Sequence, residues 1–280
     1  IEALEDSNPG VRQEAAKALG YYKDKRAIEP LINSLKDKDP WVKLNAAYSL
    51  GELGGKQAVD ALLNLLDDNS DWRNKFVQQE CVMALRKIGS RTGIGDKKEL
   101  SILMKHFNDE YLKADIIKIL GFSKVKEAND LLIAATKDPN ERIRKLALEA
   151  MSRLPQNPLH IDAPSEEAIF IKDPQIDIYI NSLKDTSVEV RVQSIKALGQ
   201  LRDKRAVDPL IEALDDSSEK VREAAIAALG NFADERIFDA IINRKITTDL
   251  AKKTFKSVAE KTSKERVYIF RKEGTRHVTK

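Results

Sequence analysis

Apolar residues recur along this chain at helical spacing, and the whole pattern then repeats. The stretch VRQEAAKALG from Val11 returns as VKLNAAYSLG from Val42, VQQECVMALR from Val77, LKADIIKILG from Leu112, IRKLALEAMS from Ile143, VRVQSIKALG from Val190 and VREAAIAALG from Val221. With the first residue of each copy as position 0, positions +4, +7, +8 and +11 are mostly apolar or small as well. They are Val11, Ala15, Ala18, Leu19 and Tyr22 in the first copy, and Val42, Ala46, Ser49, Leu50 and Leu53 in the second. Such spacing turns one stripe of an α-helix toward a core. Position +5 is apolar in all copies (Ala16, Ala47, Val82, Ile117, Leu148, Ile195, Ile226), so the buried arc is wider than one partner helix covers. A second neighbour is expected to pack there.

Each copy follows another amphipathic segment, as in RAIEPLINSLKD and RAVDPLIEALDD. Pro30 and Pro209 fall in the first turn of these segments, where a helix tolerates proline. The unit is therefore two antiparallel helices joined by turns such as DKDP, DTSVE and DSSEK, whose side-chain oxygens suit the free N–H groups at a helix start. One pair cannot bury its apolar face, but a stack buries a continuous core. The starts are separated by 31, 35, 35, 31, 47 and 31 residues, so insertions lengthen three connections of a constant unit. The segments IFDAIINRK and TTDLAKKTFKSVAEKT form an eighth, degenerate pair suited to a polar end cap. The expected fold is all-α: a right-handed α-solenoid, or alpha-alpha superhelix, of about eight helix pairs.

The AVDPLIEALDD…VREAAIAALG pattern resembles HEAT-like repeats of the phycobilisome-lyase type, and the likeness covers nearly the whole chain. It implies the solenoid fold and a range of roles, among them bilin-lyase subunits, scaffolds and adaptors. Arg86 stands where most copies have Gly, which loosens the register of copies three and four. The resemblance also implies that the Arg or Lys at position +1 and the Asp six residues earlier (Asp6 and Arg12, Asp37 and Lys43, Asp138 and Arg144, Asp185 and Arg191, Asp216 and Arg222) form a ladder between successive repeats. A phosphate-binding basic stripe is the competing reading.

The expected organisation is repeats one to five over 1–154 with the first truncated, an insertion over 155–174, repeats six, seven and the first helix of eight over 175–243, and a basic cap and tail over 244–280. Residue 1 is not Met and IEALEDSN reads as the end of a helix already under way, so upstream residues are expected. No apolar run approaches the roughly eighteen residues of a membrane span. Cys81 is the single cysteine, which precludes an intramolecular disulfide and agrees with a reducing, cytoplasmic setting. Net charge is +3, but Arg244 to Lys280 holds 12 Lys and Arg against 4 Asp and Glu, so the basic character is C-terminal.

Catalytic constellations are scarce. His106, His160 and His277 are far apart, no H-E-x-x-H or paired cysteines offer metal ligands, and Cys81 falls at core position +4. The expectation is a non-enzymatic module with neither cofactor nor metal. Positions +2 and +6 point away from the core stripe. Most copies are polar or small there, whereas copy two has Leu44 and Tyr48 and copy three has Gln79 and Met83. With Trp41 and Tyr21 they form a candidate apolar patch for a protein or peptide. The bland alternative packs Trp41 and Tyr21 between units and leaves Leu44 as scattered surface.

The insertion DDNSDWRNKF offers Trp72, Arg73, Lys75 and Phe76 as loop contacts, or a Trp folded back over the edge. GSRTGIGDKK lacks phosphate-loop spacing and reads as a flexible connection. Beyond it, RLPQNPLHIDAPSEEAIFIKDP interrupts the repeat by sixteen residues, and its Ile169, Phe170 and Ile171 suit docking, with His160 and Asp162 near an exposed bend. The tail ERVYIFRKEGTRHVTK turns β-prone, with KEGT suited to a turn, and reads either as a short hairpin packed on the last helix or as a basic arm. Lys252, Lys253, Lys256, Arg271, Lys272 and Arg276 support a nucleic-acid-binding alternative. A tetrapyrrole-handling lyase subunit rests on the family resemblance alone.

Overall fold

A computed structural model describes residues 1–67, 74–93, 97–123, 125–154, 174–262, 266–271 and 274–279. The helices are α1 (Pro9–Tyr22), α2 (Ile28–Ser34), α3 (Pro40–Leu53), α4 (Gln57–Leu66), α5 (Asn74–Thr92), α6 (Lys97–Lys105), α7 (Lys113–Leu120) and α8 (Lys126–Ala135). They continue as α9 (Glu141–Met151), α10 (Pro174–Ser182), α11 (Val188–Leu201), α12 (Val207–Glu212), α13 (Glu219–Leu229), α14 (Arg236–Asn243) and α15 (Asp249–Thr262). Strands β1 (Arg266–Arg271) and β2 (Gly274–Thr279) pair antiparallel, with Arg266 opposite Thr279 and Arg271 opposite Gly274. The repeat body is thus all-α, and the tail forms the hairpin its sequence suggests.

The chain divides into two compact units, one of Ile1–Pro139 with Ala150–His160, the other of Asn140–Glu149 with Ile161–Lys280. In the first unit the second helices α1, α3, α5 and α7 lie side by side, and α2, α4 and α6 back them with Leu31, Leu62, Leu63, Leu66 and Leu103 fully buried. In the second unit α11, α13 and α15 form the corresponding row, with Tyr179, Leu198, Leu210 and Phe238 buried between the layers. Position +5 is buried in every copy, as the widened arc requires. Each unit is therefore a stack of helix pairs, the local architecture of an α-solenoid.

The first copy differs from expectation. Val11 and Tyr22 belong to its predicted core stripe, yet both are exposed. The residues before α1 form a short 3-10 turn, Glu2–Glu5, that buries Leu4. GSRT, read as the start of a flexible connection, is instead the last turn of α5. There Thr92 Oγ1 donates to the Ile88 carbonyl at 3.0 Å. Helix starts also divide into two kinds. Asn8 and Asp39 accept from the N–H groups of Gly10 (2.8 Å) and Trp41 (2.8 Å) and cap α1 and α3 directly. Ser187 and Ser218 make no such cap, although all four starts share the preceding turn, in which Asp6, Asp37, Asp185 and Asp216 accept the N–H groups of Asn8 (2.7 Å), Asp39, Ser187 and Ser218 (2.8 Å each).

Two devices fix the stacking of second helices. The glycine at +9 lets neighbours touch: a β-carbon on Gly51 would lie 2.9 Å from Ala84 Cα, one on Gly121 2.9 Å from Ala150 Cα, and one on Gly199 2.9 Å from Ala228 Cβ. Where Arg86 replaces this glycine, its guanidinium instead reaches Asp115 on α7 at 3.1 Å. The second device is the charge ladder, which runs between repeats. Arg12 forks onto Asp37 (2.7 and 2.9 Å), Arg144 onto Asp185 (2.7 and 2.8 Å), Arg191 onto Asp216 (2.8 and 2.8 Å), and Lys113 pairs with Asp138. For Arg12, Arg191 and Arg222 the Asp six residues earlier contributes its backbone carbonyl, Asp6 at 2.8 Å, Asp185 at 2.9 Å and Asp216 at 2.8 Å. Planar forks between nearly dry partners set register and angle more than they add net stability.

Candidate interaction groove

The site is built on two adjacent second helices of the first unit. On α3, Trp41, Leu44, Asn45, Tyr48 and Glu52 follow i, i+3, i+4, i+7, i+11 spacing and share one face. On α5, Phe76, Gln79, Glu80, Met83 and Lys87 repeat that series thirty-five residues later. Gly51 against Ala84 brings the helices into close contact, so the two series face each other as rungs.

The first rung is Trp41 stacked on Phe76, with ring centroids 6.2 Å apart and planes 26° apart. Asp39 holds the start of α3, and the Asn45 side chain donates to the Trp41 carbonyl at 2.9 Å, which ties this turn down. Leu44 with Gln79 and Asn45 with Glu80 come one turn further, then Tyr48 with Met83. The last rung is Lys87, whose ammonium pairs with Glu52 and lies 4.8 Å from the centre of the Tyr48 ring. That double engagement places a neutralised ion pair at the end of an apolar strip. Trp41, Tyr48 and Phe76 are 46%, 39% and 51% exposed, far more than residues used for folding.

A pocket of about 320 Å³ opens on the other side of Phe76, between the starts of α5 and α7. Lys75, Phe76, Gln79, Asp109, Tyr111 and Leu112 are among its walls. The Lys75 ammonium lies 5.8 Å from the Tyr111 ring centre, and the Asp109 carboxylate accepts the Tyr111 N–H at 2.9 Å. Trp41, Phe76 and Tyr111 all occupy position −1, so three successive repeats present an aromatic there. Among the residues whose burial is described, the exposed large hydrophobics all fall between Ile1 and Tyr111.

Glu80 is the chemically distinctive member of the groove. Its Oε1 is buried without a hydrogen-bond partner. Burial raises its carboxyl above the usual range; Lys87 counteracts this and Glu52 adds to it. Cys81, its neighbour in sequence, is fully buried, and burial pushes the thiol up, so no reactive thiolate stands here. Among the described residues no group of three or more His, Cys, Asp or Glu is placed to hold a metal, and no helix is long and apolar enough to cross a membrane.

Four of the five residues expected to form the patch, Trp41, Leu44, Tyr48 and Met83, lie on this face. Tyr21 is 83% exposed at the end of α1, its ring edge-on to Tyr22 at 5.8 Å, so it is not packed between units. Lys75 belongs to the pocket, whereas Trp72 and Arg73 lie outside the described residues. Lys252 pairs with Asp249 at 2.7 Å, while Lys253 and Lys256 are exposed on α15. Arg271 and Arg276 are placed on β1 and β2 by backbone only, and Lys272, His160, Asp162 and the apolar residues 169–171 lie outside the described residues. Sequence reasoning missed Phe76 as a rung, Tyr111, Glu80 and Lys87. The aromatics at −1 in three copies were the available signal.

Helix pairs, glycine contacts and an inter-repeat charge ladder define a helical-repeat protein of the α-solenoid class. The HEAT repeat family model matches residues 1–86 and 176–244, more than half of the chain, and the chain belongs to that family. Among solved structures it is similar to E. coli YibA at 19% identity, covering 92% of this chain and 90% of that one with a TM-score of 0.58. It is also similar to an engineered protein at 19% identity, 93% and 76% coverage and a TM-score of 0.56. The complex of CpcE and CpcF of phycocyanin lyase from Nostoc sp. PCC7120 is similar at 18% identity, 93% and 92% coverage and a TM-score of 0.47. No curated protein matches the chain in sequence.

Proposed function

We propose that the protein is a non-enzymatic interaction module whose α3–α5 groove captures a segment of a partner protein. The observation that carries this reading is the exposure of Trp41, Tyr48 and Phe76 on one face beside the half-buried Leu44 and Met83, beyond any need of the fold. Clustered aromatic and Met side chains on a rigid scaffold are the usual energetic centre of a protein interface. A phage library of random twelve-residue peptides, selected on the wild-type protein, tests it. Selected peptides should lose affinity by about tenfold or more for the Tyr48→Ala, Met83→Ala double variant, since interface anchors typically contribute over 1 kcal/mol each. Equal affinity for both proteins, or a selection that returns nothing, would refute the assignment.

A second reading rests on Lys253 and Lys256, exposed three residues apart on α15 within the basic C-terminal segment. Nucleic-acid affinity that falls steeply with salt would support it, and no binding at low salt would remove it. The tetrapyrrole-handling alternative gains no argument from a likeness with a TM-score of 0.47.

A further inference from the structure

The occupant of the groove can be narrowed by its charge. Glu80 is i+4 from Phe76 and three residues before Met83, so it lies midway along the apolar strip of α5. Its Oε1 has no hydrogen-bond partner although it is buried. The other carboxylates on α3, α5 and α7 are engaged: Glu52 by Lys87, and Asp115 by Arg86 at 3.1 Å and Lys118 at 3.0 Å. Lys87 is held between Glu52 and the Tyr48 ring, so its ammonium is already committed.

A buried carboxylate oxygen left unpaired opposes folding, and a cation that reaches it relieves that cost. We infer that the partner segment places a Lys or Arg side chain between apolar residues and pairs its cationic head with Glu80. The chemistry of both ends agrees. A Lys or Arg stem is apolar and can lie along Leu44, Tyr48 and Met83 while its head reaches the carboxylate. The stacked Trp41 and Phe76 rings next to it present faces that attract a cation. An acidic segment would meet an uncompensated carboxylate and be repelled. Burial also raises the Glu80 carboxyl in the free protein, so an arriving cation should draw it down.

This inference rests on the groove being the docking site, and the experiment separates the two claims. The random twelve-residue library is selected in parallel on wild type, Glu80→Gln and Tyr48→Ala, each confirmed as folded by circular dichroism, and the pools are sequenced. The wild-type pool should be enriched in Lys or Arg at one position flanked by apolar residues. The Glu80→Gln pool should lose that enrichment, and synthetic peptides from the wild-type pool should bind Glu80→Gln about tenfold more weakly at pH 7. A carbon-13 titration of the Glu80 carboxyl with and without such a peptide should show its pKa fall on binding, which a purely structural role would not produce. Pools that depend on Tyr48 but are alike for wild type and Glu80→Gln would overturn the inference and leave the groove standing. The absence of any Tyr48-dependent peptide would overturn both.

Discussion

Replacing Gly20 by Ala tests the packing logic of the repeat, because two physical effects push in opposite directions there. Gly20 lies within α1, and an interior Gly→Ala change favours a helix by about 1 kcal/mol through propensity alone. The new methyl, however, would lie 2.7 Å from Ser49 Cβ and 2.8 Å from Ser49 Cα, so the backbone of α3 must move. Overpacking of this kind costs about 1–3 kcal/mol. It would also displace the Ser49 hydroxyl, which is fully buried and donates to the Ala16 carbonyl at 2.7 Å. A stranded hydroxyl adds about 1–3 kcal/mol. The net expectation is a loss of about 1–5 kcal/mol in the α1–α3 region after the propensity gain is deducted. Gly10→Ala is the control, since its methyl meets only the end of the Asn8 side chain at 3.2 Å and should be neutral or stabilising by up to about 1 kcal/mol. Urea unfolding followed by circular dichroism gives the magnitude, and amide exchange locates it, because stacked repeats open piecewise. A Gly20→Ala protein as stable as wild type would refute the close-contact argument.

Other expectations follow from the ladder and the groove. Burial alone would raise the carboxyls of Asp37, Asp185 and Asp216, but bonds from Arg12, Arg144 and Arg191 and from backbone N–H groups outweigh it and hold them low. Their stabilising contribution is present above the unfolded carboxyl value of about 3.9 and is lost as pH falls through the lower folded values, so acid unfolding should steepen below about pH 4. Urea midpoints between pH 2 and 7 check this, and a midpoint that begins to fall near pH 6 would contradict it. Glu80 has the opposite sign: its raised carboxyl opposes folding above the folded value and is relieved as pH falls, so Glu80→Gln should raise the urea midpoint at pH 7 and narrow the gap at pH 4. A lower midpoint at pH 7 would contradict that. Cys81 should resist a thiol reagent in the folded protein and react once urea opens α5; fast native labelling would contradict its burial.

The helix pairs were legible because core demands are periodic: positions +5 and +8 must be small or apolar whatever the protein does. The +9 glycine was visible as a recurrent letter, and its reason emerges only when Gly51 meets Ala84. The ladder was readable as Asp and Arg at fixed offsets, but not that Arg12 would reach Asp37 twenty-five residues on, since the sequence offers Asp6 just as well. Leu44, Tyr48 and Met83 stood out as apolar residues where the pattern asks for polar ones. Phe76 hid inside a loop insertion, and Glu80 and Lys87 looked like ordinary surface charges. Their meaning depends on which neighbour reaches which, and spacing along one helix does not encode that.

The most direct test of the docking groove is an NMR titration of the protein, labelled at Met methyl groups and aromatic rings, with a peptide selected on wild type. Shifts should concentrate at Met83, Tyr48, Trp41 and Phe76 and saturate together. Shifts confined to α15 around Lys253 and Lys256, or binding that leaves Met83 and Tyr48 unmoved, would contradict the account.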